Sequence, residues 1–380
     1  MSSLGREEGR LVNEVWVLGG TGRTGRAIAA ELARRGAAIV LVGRDASRLD
    51  TAARALGARM VVAGSPTAMA EAIRRERPAV TVNTIGPFQQ TAAVIADAAL
   101  EGGDYVDLGN DVATISQLVE RDEPARRAGH TLVTGAGFGV TATESVVTWL
   151  VEGRPPAARV RIDMIPSIAS TAGVVGDALA ATLTEGLPGI EGGGRFQGRR
   201  ITHGRLAKAP FGGSPTRLTT PDGDQVTTAL LPLGELLAAE HASKAPFVDA
   251  GSSEAPSGAL ARLVMPAGLT LLHIAPLRRF ATRRLAAVKV SERPRPRKHS
   301  WAHARVQWAD GTTREGWLRL PDANDFTATV AAEVTNRLLA GQGRPGTYTP
   351  AALFGSSLAE SCGGEYLLAE ELNPRTPHDV

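Results

Sequence analysis

The sequence is poor in residues that build covalent or metal cross-links, since Cys362 is its single cysteine. One thiol excludes an intramolecular disulfide and a cysteine-based zinc site, and no HExxH or other paired metal-ligand pattern occurs. We therefore expect no bound metal. Aromatic residues make up only 4% of the chain, and most of its positive charges are mixed with negative ones. We expect no nucleic-acid partner, because such a protein concentrates basic and aromatic residues on one surface.

The sequence also lacks an uninterrupted apolar run long enough for a membrane span. The apolar segment Leu260–Leu277 carries Arg262, Pro266, His273 and Pro276, so we expect no stable span there. A basic stretch follows it: Arg278, Arg279, Arg283, Arg284, Lys289, Arg293, Arg295, Arg297 and Lys298. Segment and stretch together could touch an anionic membrane surface, but the pattern favours a buried helix followed by a solvated arginine face. Residues Met1–Arg10 are polar, and we expect a cytoplasmic protein.

Glycine is abundant, and its spacing near the N-terminus is the most informative pattern in the chain. An apolar run, Val15–Leu18, ends in the glycine-rich turn Gly19–Gly25 (GGTGRTG), which an amphipathic helix and a second apolar run follow. Gly20 permits the tight turn, Gly22 the approach of a pyrophosphate, and Gly25 close packing of helix on strand. The N–H groups at the helix start then face the phosphates. This strand, turn, helix and strand predict a dinucleotide-binding fold.

The end of the second apolar run indicates which dinucleotide is bound. NAD sites usually place Asp or Glu there for the ribose 2′-hydroxyl, whereas this chain has Gly43 and Arg44. A guanidinium binds a 2′-phosphate through charged hydrogen bonds, and Arg23 and Arg48 could complete the pocket. The pattern therefore favours NADP(H), although Arg44 could also be a solvated surface residue.

Strands and helices continue to alternate to about residue 134, which predicts an α/β fold with a parallel sheet covered on both faces. The predicted helices include 46–56, 66–76 and 115–128, and a further helix is predicted at 174–183 in the second domain. We expect three regions: an NADP-binding Rossmann domain at 1–155, a mixed α+β substrate and dimerisation domain at 156–345, and a C-terminal helical segment at 346–380 that packs back on the first domain. The second domain could form a homodimer through its sheet.

Ligands of such sheets bind beyond the carboxyl ends of the strands, which defines the candidate site. The predicted cofactor residues are Gly19, Gly20, Thr21, Gly22, Arg23, Thr24, Gly25, Gly43, Arg44, Arg48, Asn83, Thr84, Ile85, Gly86, Pro87 and Gly109. Phe88, Gly137, Phe138 and Glu144 are predicted on the substrate side. Asp107 and Asp111 are the candidate catalytic acids or bases, although Asp111 could instead cap the helix that follows it.

Several motifs resemble the saccharopine dehydrogenase-like reductases, a broad family that includes trans-acting enoyl reductases. They are GGTGRTG at 19–25, VGR at 42–44, VNTIGPF at 82–88, YVDLGND at 105–111 and TGAGFG at 134–139, with similar C-terminal motifs at 308–311, 325–328, 346–350 and 354–355. The resemblance implies an NADP(H)-dependent oxidoreductase with a Rossmann domain and a mixed substrate domain. It implies cofactor contacts at Gly19–Gly25 and Arg44, and at the nicotinamide-side turn Asn83–Phe88.

Two places depart from the family pattern. Ala63–Ser65 stands where the family often has a carboxylate near the adenine. Gly139–Ala142 replaces the usual polar turn with an Asp and a Pro after the Gly-Phe pair. The second change lies on the substrate side, so the substrates usual in the family are not carried over to this chain.

The sequence is compatible with three hypotheses about the function. No tyrosine has a lysine four residues later, which excludes the Tyr-x-x-x-Lys pair of short-chain dehydrogenases. An imine can arrive already protonated, whereas a ketone or enone needs a positioned proton donor more. We therefore expect an NADPH-dependent reductase of a small-molecule C=N bond. The alternatives are an enoyl (C=C) reductase, whose carrier protein could dock on Arg278–Arg297, and a non-catalytic NADP-binding scaffold.

Overall fold

The protein is described here by a computed structural model, which covers residues 13–169, 173–174, 180, 198–255, 258, 267–268 and 270–369. The chain divides into two compact units. The first unit contains residues 1–137 and 327–353, and the second contains residues 138–326 and 354–380. The predicted boundaries differ from these, because the first unit ends at Gly137 rather than near residue 155 and regains a later segment of the chain.

The first unit is built on a seven-stranded parallel sheet with the order β17-β6-β5-β4-β1-β2-β3. Its strands are β1 (Glu14–Leu18), β2 (Ala38–Gly43), β3 (Arg59–Val62), β4 (Val80–Asn83), β5 (Asp104–Asp107), β6 (Thr131–Val133) and β17 (Gly346–Tyr348). The connecting helices are α1 (Arg23–Arg34), α2 (Ala46–Leu56), α3 (Pro66–Glu76), α4 (Phe88–Ala99), α5 (Val112–Val119) and α6 (Asp122–Ala128). The order 3-2-1-4-5-6 is that of a Rossmann fold, as the alternation predicted.

The strand β1 lies at the centre of this sheet and explains why its residues are apolar. Val15–Leu18 are inaccessible to solvent, and they pair in parallel with β2 on one side and β4 on the other. A strand that is buried on both faces usually has apolar residues at successive positions. The carboxyl ends of β1 and β4 are adjacent, since Leu18 is in register with Asn83. This register brings the glycine-rich turn next to the loop after β4.

The last strand of the sheet comes from the C-terminal part of the chain. Gly346–Tyr348 pairs in parallel with Thr131–Val133, and the Thr134 N–H donates to the Tyr348 carbonyl over 2.9 Å. Only residues 346–353 of the predicted segment 346–380 belong to this unit. The segment is not simply helical, because it contains β17 and β18 (Glu365–Leu368) beside α11 (Pro350–Phe354) and α12 (Ser357–Ser361).

The second unit is built on a nine-stranded mixed sheet, which confirms the predicted α+β class. Its strands β10-β9-β13-β7-β15-β16-β18 follow one another, with β12 joined to β13 and β11 to β12. The bounds are β7 (Arg159–Ile165), β9 (Gly198–Thr202), β10 (Arg205–Ala209), β11 (Thr216–Thr219), β12 (Gln225–Leu230), β13 (Phe247–Ser252), β15 (Ser300–Gln307) and β16 (Thr313–Leu320). Helices α7 (Phe138–Val151) and α8 (Glu235–Ser243) pack on each other and on this sheet.

Three further elements complete the described parts of the chain. The short strands β8 (Gly173–Val174) and β14 (Lys289–Val290) pair with each other. The helix α10 (Ala323–Leu339) begins in the second unit and continues into the first from Thr327. A helix predicted at 174–183 starts in β8 and otherwise lies outside the described residues, apart from Ala180.

The helix α9 (Ala275–Ala286) follows the apolar segment for which we expected a buried helix. Residues 260–266 and 269 of that segment lie outside the described residues, and α9 itself has no buried residue. The arginines of the predicted solvated face that lie on α9 are Arg278, Arg279, Arg283 and Arg284. Among the residues that the structure describes, none of the helices is both long and apolar enough to cross a membrane.

Candidate cofactor site

The glycine-rich turn after β1 is held in shape by close backbone contacts. Gly19 has a positive φ of 81°, and its N–H donates to the Val42 carbonyl over 2.9 Å. A Cβ on Gly25 would lie 2.4 Å from the Gly19 carbonyl oxygen, and one on Gly20 would lie 2.8 Å from the Leu41 side chain. Side chains at these positions would push the turn off the sheet, so the glycines are required by packing.

Gly22 meets a less crowded environment than Gly25. A Cβ there would lie 3.2 Å from the Gly19 carbonyl oxygen and near nothing else. Gly22 is also the N-cap of α1, and it supplies no capping side chain. The first turn of α1 contains no acidic residue either. The N-terminal N–H groups of α1 therefore keep their positive dipole end open to an anion.

Arginines gather around this helix end without acidic partners. Arg23, Arg26, Arg44 and Arg48 are exposed, and none forms an ion pair with any residue that the structure describes. Arg35, further along α1, instead pairs with Glu31 over 2.7 Å and with Glu333 over 2.6 Å. Unneutralised guanidinium groups beside a helix N-terminus favour a phosphorylated ligand.

A groove lies between α1 and α2 and connects several of these residues. Its volume is about 700 Å³, and its lining includes Thr21, Arg23, Arg26, Ser47 and Arg48. The Arg48 guanidinium donates to the Thr21 carbonyl over 3.4 Å, so α2 reaches back to the glycine-rich turn. The nearby Asp45 has a different role, because its carboxylate caps α2 by accepting from the Arg48 N–H over 3.0 Å.

The loop after β4 contains two residues whose side chains are occupied by the fold. Asn83 is fully buried, and its amide donates to the Tyr105 hydroxyl while its oxygen accepts from the Ile85 N–H over 3.0 Å. The Thr84 hydroxyl donates to the Leu18 carbonyl over 2.7 Å. The Asn83 side chain thus shapes the turn that presents Ile85, Gly86 and Pro87, and a cofactor contact at Asn83 stays a prediction.

Asp107 occupies the centre of a buried hydrogen-bond network. Its carboxylate accepts from the Gly109 N–H, the Gly135 N–H, the Thr134 hydroxyl and the Tyr105 hydroxyl, over distances of 2.9 to 3.1 Å. Burial raises the pKa of Asp107, while these donors act to lower it. Burial likewise raises the pKa of Tyr105, as does the neighbouring charge of Asp107.

This network bears on two roles that we predicted from the sequence. Asp107 has no solvent access and accepts from four donors, so we infer a positioning role for it, and its catalytic role stays a prediction. The Gly109 N–H donates to Asp107, and a cofactor contact at Gly109 likewise stays a prediction. The sequence contains one signal of this arrangement. Tyr105 and Asp107 are two residues apart in a short strand, so their side chains lie on the same face of the sheet, and Asn83 ends the neighbouring strand β4.

Asp111 lies at the start of α5, where the capping alternative placed it. Its carboxylate accepts from the Thr114 N–H over 2.9 Å and from the Thr114 hydroxyl over 2.6 Å. The Gln89 amide donates to it over 3.1 Å. Asp111 keeps partial access to solvent, so its catalytic role stays a prediction.

The predicted substrate-side residues are divided between the two units. Phe88 begins α4, and Gly137 ends the N-terminal part of the first unit. Phe138 and Glu144 belong to the second unit, where the Phe138 ring packs edge-on against Phe326 at 6.2 Å. Glu144 is fully buried inside α7 rather than at its start, because the helix already begins at Phe138.

A second polar cluster in the mixed sheet was not predicted. His303 of β15 contacts Asp163 of β7 over 3.1 Å and Glu315 of β16 over 3.0 Å. Arg161 donates to Asp163 over 2.8 Å, and the Thr228 hydroxyl donates to it over 2.6 Å. Burial opposes the charge of Asp163, but His303 and Arg161 outweigh it and lower its pKa to about 2. Within the described residues, no group of three or more His, Cys, Asp or Glu side chains is arranged to hold a metal ion.

Comparisons with known proteins agree with this geometry. Residues 15–133 match the family model described as the saccharopine dehydrogenase NADP binding domain. The solved structure of apo saccharopine dehydrogenase (L-Glu forming) from Saccharomyces cerevisiae is similar, with a TM-score of 0.57 and 12% identity over 94% of this chain and 100% of that one. A short-chain type dehydrogenase/reductase from Mycobacterium ulcerans overlaps 32% of this chain and 66% of its own, with a TM-score of 0.27 and 16% identity. No curated protein sequence matches significantly.

The strand order and the glycine-rich turn define a Rossmann-type unit that binds a dinucleotide. The match over residues 15–133 specifies NADP(H) as that dinucleotide and identifies this part of the chain as an NADP-binding domain of the saccharopine dehydrogenase type, as its motifs predicted. This domain makes the protein an NADP-dependent oxidoreductase.

Proposed function

We propose that the protein reduces the C=N bond of a small-molecule imine, with NADPH as the hydride donor. The observation that carries this proposal is the state of the two carboxylates beyond β5. Asp107 is buried among four donors, and Asp111 is held as a helix cap. Neither is positioned as a free acid. An imine that arrives protonated needs no such acid, whereas reduction of an alkene depends on a proton donor.

We propose that the cofactor lies across the carboxyl ends of β1, β2 and β4. The N–H groups of Gly22–Gly25 would hold the pyrophosphate, and Arg23, Arg44 and Arg48 the 2′-phosphate. The partly exposed turn Ile85–Pro87 would face the nicotinamide ribose. This assignment rests on the open helix end and on guanidinium groups without carboxylate partners among the described residues. Bound NADPH supplies the hydride, and the chain supplies position and electrostatics.

We also propose that the protein works in the cytoplasm as a homodimer. The strand β10 supports the dimer, because it ends one side of the nine-stranded sheet and leaves Leu206 43% exposed. Edge strands of this kind pair with other chains unless they are covered. Light scattering on the purified chain measures the oligomeric state directly, and a monomer at working concentration would contradict the dimer.

The reaction is tested by following NADPH oxidation with two classes of acceptor. We expect turnover with a small cyclic imine and none with an enoyl thioester. An Asp111→Asn variant should keep most of this activity, because Asn also caps a helix and the imine brings its own proton.

Two results would contradict the proposal. Reduction of the thioester but not of the imine would favour the enoyl reductase. Tight NADPH binding with no turnover of either acceptor would favour the non-catalytic scaffold.

A further inference from the structure

The helix α9 and the turn before it expose apolar side chains. Leu271, Ile274, Leu277, Phe280 and Val288 are 43 to 59% exposed. They are five of the eleven large apolar side chains that are exposed in the described parts of the chain. Such side chains are ordinary when scattered singly, but a contiguous group marks an interaction surface. We call Leu271–Lys289 the apolar-basic surface.

Positive charge accompanies these apolar side chains. The sequence contains no Asp or Glu between Glu254 and Glu292, while the apolar-basic surface carries Arg278, Arg279, Arg283, Arg284 and Lys289. In the part of the chain that the structure describes, these arginines form no ion pair, although Arg278 donates to the Leu272 carbonyl over 3.2 Å. Acidic side chains of the described residues therefore do not neutralise the charge of this surface.

Apolar and basic side chains lie next to each other on α9. Leu277 and Phe280 are about one helical turn apart and so share a side of α9, while Leu271 and Ile274 lie just before the helix. Arg279, Arg283 and Arg284 are exposed beside them, and the Arg284 guanidinium lies 5.2 Å from the centre of the Phe280 ring. Long arginine side chains can reach the headgroups of a lipid layer while their stems cover its apolar region.

We propose that the apolar-basic surface docks the protein on an anionic lipid bilayer, with α9 lying in the membrane interface. An amphipathic helix with leucine and phenylalanine on one side and arginines beside them inserts its apolar side chains below the headgroups. Each arginine near the surface adds attraction to anionic lipids. This docking is peripheral and needs no membrane span, and it is independent of the reaction proposed above.

A lipid bilayer fits the surface better than an acidic protein does. An acidic helix could neutralise the arginines, but polar headgroups over an acyl layer match both the charges and the five exposed apolar side chains. Salt should weaken only the charged part of this binding, since screening acts on exposed charges.

The test is co-sedimentation of the full chain with vesicles of two compositions. One contains only phosphatidylcholine, and the other replaces about one third of it with phosphatidylglycerol. We expect at least tenfold tighter binding to the anionic vesicles, and weaker binding at high salt. Leu277→Glu with Phe280→Glu, and separately Arg279→Glu with Arg283→Glu, should each lower binding to anionic vesicles more than tenfold.

Matched variants separate the surface from general changes in charge or fold. Val119→Glu replaces an apolar side chain that is 53% exposed, on α5 of the first unit. Arg154→Glu with Arg217→Glu reverses two exposed arginines of the same unit as α9. These controls should bind vesicles like the unmodified chain, and thermal unfolding should show all variants folded.

Four outcomes would overturn the proposal. They are no binding of the unmodified chain to anionic vesicles, equal binding to both compositions, α9 variants that bind like the controls, and binding of an acidic carrier protein without any vesicle binding. A failed reductase assay would leave vesicle binding unaffected, so the two proposals fail separately.

Discussion

Arg44 follows β2 directly, and its guanidinium is exposed with no acidic partner among the described residues. We predict that Arg44→Asp weakens NADPH binding by about ten- to a hundredfold, because a charged hydrogen bond worth roughly 1.5–3 kcal/mol is lost and a repulsive charge is gained. NADH lacks the 2′-phosphate, so its affinity should change little. Titration of both nucleotides by fluorescence or calorimetry measures the difference.

Arg127→Asp provides the control for Arg44→Asp. Arg127 lies on α6, is exposed, and undergoes the same change of charge away from the glycine-rich turn. It should leave both affinities unchanged. Equal losses for NADPH and NADH in the Arg44 variant would show that this arginine does not recognise the 2′-phosphate.

Asp107 gives a second prediction at the level of single residues. Asp107→Ala leaves two N–H groups and two hydroxyls without their acceptor inside the protein. We expect a loss of about 3 kcal/mol or more in the free energy of unfolding, since each unsatisfied buried group costs roughly 1–3 kcal/mol. Asp111→Ala should cost only about 1 kcal/mol, the usual value of a helix cap. Urea unfolding of the two variants makes the comparison, and equal losses would contradict the positioning role.

The sequence predicted the glycine-rich turn, but not the hydrogen-bond network beside it. Glycine spacing is a local signal, because the turn, the phosphate approach and the helix packing all depend on residues close in the chain. The contact of Asn83 with Tyr105 depends on the pairing of β4 with β5, which no local pattern specifies. The Gly109 N–H, in contrast, donates to Asp107 only two residues before it.

At the scale of one element, two glycines at the start of α1 have different roles that can be tested separately. Gly25 allows the helix to pack on the turn, and Gly22 allows a ligand to approach the backbone. We predict that Gly25→Ala destabilises the free protein by about 1–3 kcal/mol, because its Cβ would lie 2.4 Å from the Gly19 carbonyl. Gly22→Ala should cost less, since its nearest contact is 3.2 Å, but should still weaken NADPH binding. Thermal unfolding without cofactor and NADPH titration test both. Equal destabilisation by the two substitutions would contradict the packing role of Gly25.

The strands β7, β15 and β16 share the His303 cluster, which predicts a pH dependence of stability. Burial acts to lower the pKa of His303, but the carboxylates of Asp163 and Glu315 outweigh it and raise that pKa above 6.5. The cluster therefore contributes fully below pH 6.5 and loses this contribution as the pH rises through the folded-state pKa. The contribution of Asp163 to stability has the opposite pH dependence. Its pKa is lowered from 3.8 to about 2, so this contribution is lost as the pH falls from 3.8 toward 2.

His303→Gln tests the alkaline side of this window. The difference in unfolding free energy between the unmodified chain and the variant should be larger near pH 5.5 than near pH 9, with both pH values approximate. His299→Gln is the control, since His299 pairs with Asp222 at a partly exposed site. Its substitution should change the free energy of unfolding less than that of His303, because solvent screens the pair. A His303 difference that is constant with pH would contradict a charged imidazolium in the cluster.

Some helices were predicted to within a residue at both ends, and others were not. The helices Ala46–Leu56 and Pro66–Glu76 have the predicted bounds, because capping residues precede both of them. One helix predicted at 115–128 is instead two, Val112–Val119 and Asp122–Ala128, since Pro124 fits the first turn of a helix but not the interior of a continuous one. The helix Glu235–Ser243 was missed because its buried side includes the polar Glu235 and Ser243, so it shows no apolar stripe in the sequence.

At the scale of the whole molecule, the two units are interleaved along the sequence. The chain leaves the Rossmann unit after Gly137 and returns to it at Thr327. A Cβ on Gly137 would lie 3.7 Å from the Thr327 side chain, so the two ends are adjacent within this unit. Domain boundaries drawn along the sequence could not find this return, because β17 is a three-residue strand whose pairing with β6 is entirely long-range.

This adjacency predicts which piece of the chain folds by itself. Residues 1–137 joined to 327–353 by a short Gly-Ser linker should fold and bind NADPH, because β17 then covers the edge of β6 and Glu333 pairs with Arg35. Residues 1–155 alone should be unstable or aggregate, since β6 keeps an open edge and the Arg35 ion pair with Glu333 is lost. Circular dichroism, thermal unfolding and NADPH titration compare the two pieces. Cofactor binding by residues 1–155 equal to that of the linked piece would show that the returning segment is dispensable for the Rossmann unit.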